Sequence, residues 1–117
     1  MKDKMVHFVT ENRTYPLCFN LNVMEEIQDQ YGSISAWGEK VSSNKSEPNI
    51  KDLKNGLMIM INEGIEIENE IEGNNNPLLN SKQVGRIISE IGFDEILKKV
   101  METAKNSTNT GENQKNM

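Results

Sequence analysis

Two side chains near the N-terminus are of types that perform nucleophilic chemistry. Cys18 is the single cysteine and His7 the single histidine of the 117 residues. A thiol within hydrogen-bond reach of an imidazole forms a nucleophile–base pair, and the two residues lie on neighbouring predicted strands. No third residue of obvious identity would orient the imidazole, so two ordinary strand residues are the favoured interpretation. A lone cysteine makes no internal disulfide and is typical of a buried thiol in a reducing compartment.

A run of carboxylates could bind a cation. It consists of Glu66, Glu68, Glu70 and Glu72. The run lacks the alternating Asp and Asn ligands and the glycine of an EF-hand loop, so a solvated acidic face is the favoured interpretation. The scattered glycines match no phosphate-binding loop. Because the histidine and the cysteine are each alone, the sequence predicts no metal cluster and no cofactor. We find no catalytic constellation and expect a protein that is not an enzyme.

Two predicted helices near the C-terminus have the outline of a helix-turn-helix DNA reader. They span Ser81–Ile91 and Phe93–Met101, with Gly92 as a tight turn between them. The basic residues of the second helix are Lys98 and Lys99, and three acidic residues in or next to it outnumber them. Such a helix makes poor phosphate contacts, so a plain helical hairpin is favoured over DNA binding.

The composition indicates one small acidic domain. The chain has 18 acidic and 13 basic residues, a net charge of −5, 35% hydrophobic residues and a mean hydropathy of −0.65. This charge argues against non-specific binding of nucleic acid. No apolar run approaches the roughly 18 residues that a membrane-spanning helix needs. The first residues are charged but lack a following apolar segment, so we expect no signal peptide.

The chain is organised around the apolar run Leu57–Ile61, the longest in the sequence. With the periodic lead-in from Ile50, it places apolar residues on every side of a helix, as in a buried helix. Five apolar residues alone are also compatible with a buried strand, but Pro48 as the first helical residue favours a helix. The sequence therefore predicts a central helix over residues 49–63, which Gly64 ends as its C-cap.

The residues before this helix change from strand to helical spacing. Residues 5–9 and 13–19 are rich in β-formers on either side of a polar turn and predict a β-hairpin, in which Pro16 marks an edge. Two short helices follow: Asn20 or Asn22 caps the first, which Gly32 ends, and Ser33 or Ser35 caps the second. Residues 42–48 form a polar linker. The apolar positions are Leu21, Met24, Ile27 and Tyr31 in the first helix and Ile34, Trp37 and Val41 in the second, where Trp37 is interpreted as a core residue.

The pattern after the central helix is more broken. Residues 65–72 fit no helical face and favour an irregular or frayed segment, and residues 73–77 form a loop. Ser81 caps the next helix, in which Val84, Ile87, Ile88 and Ile91 face inward. The last helix ends near Met101, and from Thr103 onward almost nothing is apolar, which is typical of a disordered tail.

These elements predict the α+β fold class. An N-terminal β-hairpin is followed by a small bundle of four to five short helices and a disordered C-terminal tail. Residues 1–102 form a single domain and residues 103–117 the polar tail. The edge of the hairpin is compatible with strand addition between copies, so a homo-oligomer fits the pattern without being required by it.

Three stretches resemble a known family. They are Tyr15–Gly32 (YPLCFNLNVMEEIQDQYG), Met58–Gly64 (MIMINEG) and Lys82–Ile88 (KQVGRII). Together with the hairpin they resemble the small tail assembly chaperones of long-tailed bacteriophages and of prophages in low-GC Gram-positive bacteria. The resemblance covers residues 5–101 and rests on packing and turn patterns, with no catalytic signature.

This resemblance implies a non-enzymatic function in the cytoplasm of the bacterial host. Such chaperones bind the long, helical tape measure protein, keep it soluble and leave as tail tube subunits polymerise around it. In many relatives a translational frameshift near the end of the gene appends a second domain that recruits tube subunits. Two other classes remain open: a structural head–tail connector or tail-terminator subunit, and, less favoured, a small DNA-binding phage regulator. Neither nucleic acid nor a membrane is an expected partner.

The helix faces suggest where a client protein would bind. An amphipathic helix can lie in an apolar groove, and flexible methionines suit an adaptable surface. We expect Met58 and Ile59, together with Met101 of the last helix, to contact the client. Ordinary core packing is the alternative for these methionines, and it is the favoured one. The acidic balance of the chain favours a basic client.

Overall fold

The described part of the chain forms a β-hairpin followed by five helices. The computed structural model describes residues 6–42 and 49–116, with side chains up to residue 107; Met5, Pro48 and most of the predicted linker therefore lie outside the described residues. A two-stranded antiparallel sheet and five helices confirm the predicted α+β class. The elements are β1 (Val6–Val9), β2 (Thr14–Leu17), α1 (Leu21–Tyr31), α2 (Ile34–Val41), α3 (Ile50–Glu72), α4 (Ser81–Ile91) and α5 (Phe93–Asn116).

The hairpin forms where the alternation predicted it. β1 and β2 pair antiparallel, with Val6 opposite Leu17. Thr10 closes the turn: its backbone N–H donates to the carbonyl of Arg13 at 2.8 Å, and its hydroxyl accepts from the Arg13 N–H at 3.1 Å. A hairpin of this size is marginal alone, and it is stabilised here by packing on α3.

Asparagine and serine side chains begin four of the helices. A side-chain oxygen at the N-cap accepts from a backbone N–H that has no partner inside the helix. The pairs are Asn20 with Val23 (3.1 Å), Ser33 with Ala36 (2.9 Å), Asn49 with Asp52 (3.3 Å) and Asn80 with Gln83 (2.9 Å). Asn20 and Ser33 were among the predicted caps. The prediction of Ser81 as the cap of α4 is wrong, because Asn80 precedes it and forms a reciprocal capping box with Gln83.

The apolar stripe of α1 is shifted from its predicted position. Val23 and Ile27 are its buried residues, whereas Leu21 is 78% exposed. Leu21 lies two residues, or about 200°, from Val23 on a helix of 3.6 residues per turn, so both cannot face α3. The prediction that Leu21 belongs to the apolar stripe is wrong. The buried face is set by Val23 and Ile27, and Leu21 lies on the opposite side of the helix.

Helix α3 is longer than the sequence predicted. It spans Ile50–Glu72, so Gly64 is an interior residue and the segment after it is helical rather than irregular or frayed. The hairpin explains the glycine: a Cβ at Gly64 would lie 2.8 Å from the Cβ of Pro16. Beside this contact, the backbone N–H of Cys18 donates to the carbonyl of Met60 at 3.2 Å. Gly64 therefore allows a strand to approach a helix and does not end it.

A second close contact holds the N-terminal half of α3. Trp37 is 1% exposed, which confirms it as a core residue. A Cβ at Gly56 would lie 2.2 Å from Cζ2 of this indole, and the indole Nε1 donates to the carbonyl of Asp52 at 3.1 Å. The largest fully buried side chains are Trp37, Phe8, Leu17, Ile27, Leu53, Leu57, Met60, Ile61, Ile96, Val23, Val84 and Val100. The predicted buried central helix is thus confirmed.

The C-terminal helices are joined by glycines in the left-handed half of φ space. Gly73 (φ 71°) ends α3 and begins the predicted loop, and Gly92 (φ 111°) separates α4 from α5. Helix α5 does not end at Met101 as predicted. Ala104 is 8% exposed and belongs to the core, so the first part of the predicted tail is folded. The side chains of residues 108–117 lie outside the described part of the chain.

Candidate functional site

A groove of about 220 Å³ lies between α1 and α3, beside the loop that follows α3. We call it the acidic groove. Its apolar surface is provided by Val23, Met58, Ile59 and Leu78, and its polar rim by Asn22, Glu26, Asn62, Glu63 and Glu66. Val23 and Ile59 are buried, so Met58 and Leu78 provide the accessible part of this apolar floor. An apolar surface beside carboxylates is complementary to an amphipathic helix that carries cations.

Of the three carboxylates of the rim, Glu63 has hydrogen-bond partners among the described residues and the other two do not. Glu63 Oε2 accepts from the side-chain amides of Asn20 at 2.8 Å and Asn22 at 3.0 Å, and it thereby ties the start of α1 to α3. Glu26 and Glu66 are exposed and form no hydrogen bond or ion pair within residues 6–42 and 49–107. Two carboxylates of the groove are therefore available to cationic side chains of a partner.

Two asparagines of α3, one heptad apart, hold the loop that forms the far wall. Asn62 donates to the carbonyl of Leu79 at 3.1 Å and accepts from its N–H at 2.8 Å. Asn69 makes the same reciprocal pair with Asn76, at 3.0 and 3.1 Å. These bonds bury Leu79 and leave Leu78 46% exposed at the groove. The sequence reasoning missed both asparagines, although their spacing of seven residues places them on one helical face.

The predicted contact residues are not all in one place. Met58 is half-buried and lines the acidic groove, and Ile59 lines it too but is only 7% exposed. Met101, on α5, is packed against the core and is not among the residues that line the groove. The structure therefore brings Met58 and Ile59 together, separates Met101 from them, and leaves Met58 as the more accessible of the pair.

The suggested nucleophile pair does not form. His7 lies opposite Pro16 in the hairpin, and its Nε2 lies 3.0 Å from Glu68 Oε2 of α3. Burial, and then the charge of Glu63, raise the pKa of the Cys18 thiol from 9.0 to about 11. At pH 7 only about one thiol in ten thousand is then ionised, and the thiolate is the reactive form. His7 is thus paired with Glu68 rather than with Cys18, and the thiol just after β2 is held in its unreactive protonated form.

The acidic run lies along the end of α3. Glu68 is engaged by His7, and no group of three or more potential metal-ligating side chains occurs in the part of the chain that the structure describes. A helix spreads alternating glutamates around its circumference, whereas a cation needs them to converge.

The helix predicted as a possible DNA-recognition helix, α5, packs against the hairpin instead. Lys99 donates to the carbonyl of His7 at 3.3 Å, and its ammonium lies 5.4 Å from the ring centroid of Phe8. Of the pair Lys98 and Lys99, Lys99 thus joins β1 to α5. Only Lys98 of the pair is exposed, which is a poor basis for phosphate contacts.

The chain matches no family model, no curated protein and no solved structure. Among the described residues, no helix combines the length and apolarity needed to cross a membrane. The chemistry of the acidic groove and the resembling stretches of sequence are therefore the observations on which a functional proposal rests.

Proposed function

We propose that this chain is a tail assembly chaperone of a long-tailed bacteriophage or prophage, which binds the tape measure protein in the host cytoplasm and assists tail tube assembly. One observation carries the proposal. Two of the stretches that resemble this family, residues 15–32 and 58–64, meet in space as the two helical walls of the acidic groove. The parts of the chain that resemble such chaperones thus form a surface suited to a helical client.

The groove would hold one face of a client helix. Apolar side chains of the client would cover Met58 and Leu78, and lysines or arginines one turn away would reach Glu26 and Glu66. Exposed ion pairs contribute about 0.2–1 kcal/mol each, so apolar burial supplies most of the affinity and the carboxylates select for basic segments. A groove with a flexible methionine suits many similar segments of one long client rather than a single sequence. No bond is made or broken, so the function is non-enzymatic.

The test is co-expression with the tape measure protein encoded beside this chain, followed by co-purification. The wild-type chain should keep the client soluble and elute with it. Met58→Asp combined with Leu78→Asp should abolish the complex, because it places charge on the apolar floor. Ile59 is left unchanged, since it is 7% exposed and an aspartate there would place a charge in the core and destabilise the fold.

The matched control is Val9→Asp combined with Leu21→Asp, at residues that are 73% and 78% exposed and lie outside the groove. It adds the same charge and should still bind the client. A client that stays insoluble with the wild-type chain would contradict the chaperone function. A folded groove variant that still binds would contradict the site. Recovery of this chain from purified virions would instead identify a connector or terminator subunit.

A further inference from the structure

A second groove lies on another side of α3, between α3 and α4. It is shallow and open, with a volume of about 610 Å³, and three of its side chains are cationic. We call it the basic groove. It is lined by Ile50, Lys54, Lys82, Gly85, Arg86, Ser89 and Glu90. Three cations against the one carboxylate of Glu90 make this groove locally positive in a chain whose net charge is −5.

The cations of this groove make no polar contact with the part of the chain that the structure describes. Within residues 6–42 and 49–107, neither Lys54, Lys82 nor Arg86 forms an ion pair or a hydrogen bond. The nearby carboxylate of Glu90 accepts instead from the backbone N–H of Glu11 in the hairpin turn, at 2.8 Å. No carboxylate of the described residues therefore competes with an anionic partner for these three cations.

Glycine at position 85 shapes the groove. A Cβ there would lie 3.4 Å from Nζ of Lys54, so the lysine lies across the surface of α4 where that helix has no side chain. Lys82 and Arg86 are four residues apart in α4, so they share one helical face and their Cβ atoms lie about 6 Å apart. The third feature is Ile50, which is 51% exposed at the groove.

We propose that the basic groove binds an acidic helical segment of a second protein. Carboxylates one turn apart on that helix would reach Lys82 and Arg86, a third would reach Lys54, and an apolar side chain would cover Ile50. The site is separate from the acidic groove, and the proposal does not depend on the tape measure protein being the client. Two grooves of opposite charge on one central helix would let the chain hold a basic and an acidic partner at once.

A peptide fits this groove better than a nucleic acid. Binding to a duplex depends on many cations that displace condensed counterions, and this surface offers three within an acidic chain. The exposed isoleucine also has no role in binding a phosphate backbone. An acidic peptide needs only two or three carboxylates and one apolar residue to match the groove.

The experiment measures fluorescence anisotropy with the full chain. The probe is a fluorescein-labelled helical peptide of about 15 residues, with glutamates four apart and leucines between them, at about 50 mM NaCl. Lys82→Glu combined with Arg86→Glu should weaken binding at least about tenfold. The control, Lys40→Glu combined with Lys98→Glu, changes the net charge equally at exposed residues outside the groove and should change affinity less than about twofold.

Each contrary result overturns the proposal. If the wild-type chain does not bind the peptide, or if both variants lose affinity equally, the basic groove is not a peptide site. If a duplex DNA of about 20 base pairs displaces the peptide at lower concentration than unlabelled peptide does, the groove binds nucleic acid instead. Because Lys82 and Arg86 are exposed and make no bond to the described part of the chain, both variants should fold, which circular dichroism verifies.

Discussion

The two grooves beside α3 differ in how their charges are used. In the acidic groove, Glu63 bonds the start of α1 to α3, and Asn62 bonds α3 to the loop that follows it. Part of the rim therefore stabilises the fold. In the basic groove, Lys54, Lys82 and Arg86 hold nothing within the described residues. Substitutions at Glu63 or Asn62 should therefore affect stability and binding together, whereas charge changes in the basic groove should affect binding alone.

The largest expected effect comes from α3, the wall that both grooves share. Gly56→Ala should destabilise the protein by about 3 kcal/mol, at the upper end for overpacking, because the new Cβ would lie 2.2 Å from a rigid, buried indole. Chemical denaturation measures this, and both binding activities should weaken together. If they do not, the grooves do not depend on the packing of α2 against α3.

Gly38→Ala in α2 is the control for this substitution. A Cβ at Gly38 meets no atom within 4 Å, and alanine is the better helix former by roughly 0.8–1 kcal/mol. Gly38→Ala should therefore leave stability unchanged or raise it slightly. A loss equal to that of Gly56→Ala would show that the contact with Trp37 is not the cause.

An intermediate loss of stability is expected from Asn62→Ala, together with weaker client binding at the acidic groove alone. Asn62→Ala removes two hydrogen bonds to the backbone of Leu79, which is buried, and should cost about 2 kcal/mol. Asn69→Ala removes the same pair of bonds in a more exposed part of the loop, where water replaces them, and should cost less. Urea denaturation compares the two. Asn62→Ala should also weaken client binding while the acidic peptide still binds the basic groove, and equal weakening of both would contradict the independence of the grooves.

The smallest effect concerns pH and two titratable residues that line neither groove, Cys18 and Tyr31. The folded-state pKa of Cys18 is raised from 9.0 to about 11, so its contribution to stability is complete below pH 9 and is lost as the pH rises towards 11. Burial, and then a hydrogen bond to Asp52, raise the pKa of Tyr31 in the same direction. The chain should therefore unfold at lower urea concentration at pH 10.5 than at pH 8. The double variant Cys18→Ser and Tyr31→Phe should show less of this loss.

Alkylation checks the same shift directly. With a pKa of about 11, Cys18 should react with iodoacetamide roughly a hundredfold more slowly at pH 8 than an unshifted thiol. Glu63→Gln should speed the reaction only partly, because burial is the larger cause. Lys82→Glu should leave the rate unchanged, and an equal change in both variants would contradict the local influence of Glu63.

Local patterns were sufficient for much of the fold. The hairpin, the loop after α3, the turn at Gly92 and the buried Trp37 were predicted from alternation, turn residues and helical spacing. Boundaries failed where a distant segment decided them. Gly64 looked like a C-cap because the strand that packs on it is far away in the sequence. The error at Ser81 was local: two adjacent residues can each cap a helix, and the capping box with Gln83 selects Asn80.

The candidate site was predictable only in part. Met58 and Ile59 were identified from their place in the apolar run, but nothing local separated the half-buried methionine from the buried isoleucine. Met101 was grouped with them because helix faces do not reveal which helices are neighbours. Asn62 was overlooked, since an asparagine inside a helix has no recognisable role until the loop that it binds is in place.

The class of fold, the central helix and the acidic balance were predictable, because they depend on composition and on contacts between residues near in the chain. Three features emerge only from the packed chain: α3 continues through Gly64, Lys99 holds the hairpin, and the charges divide into two grooves of opposite sign. The physical reason is the same in each case. A side chain's role depends on its spatial neighbours, and these come from distant segments that pack on α3.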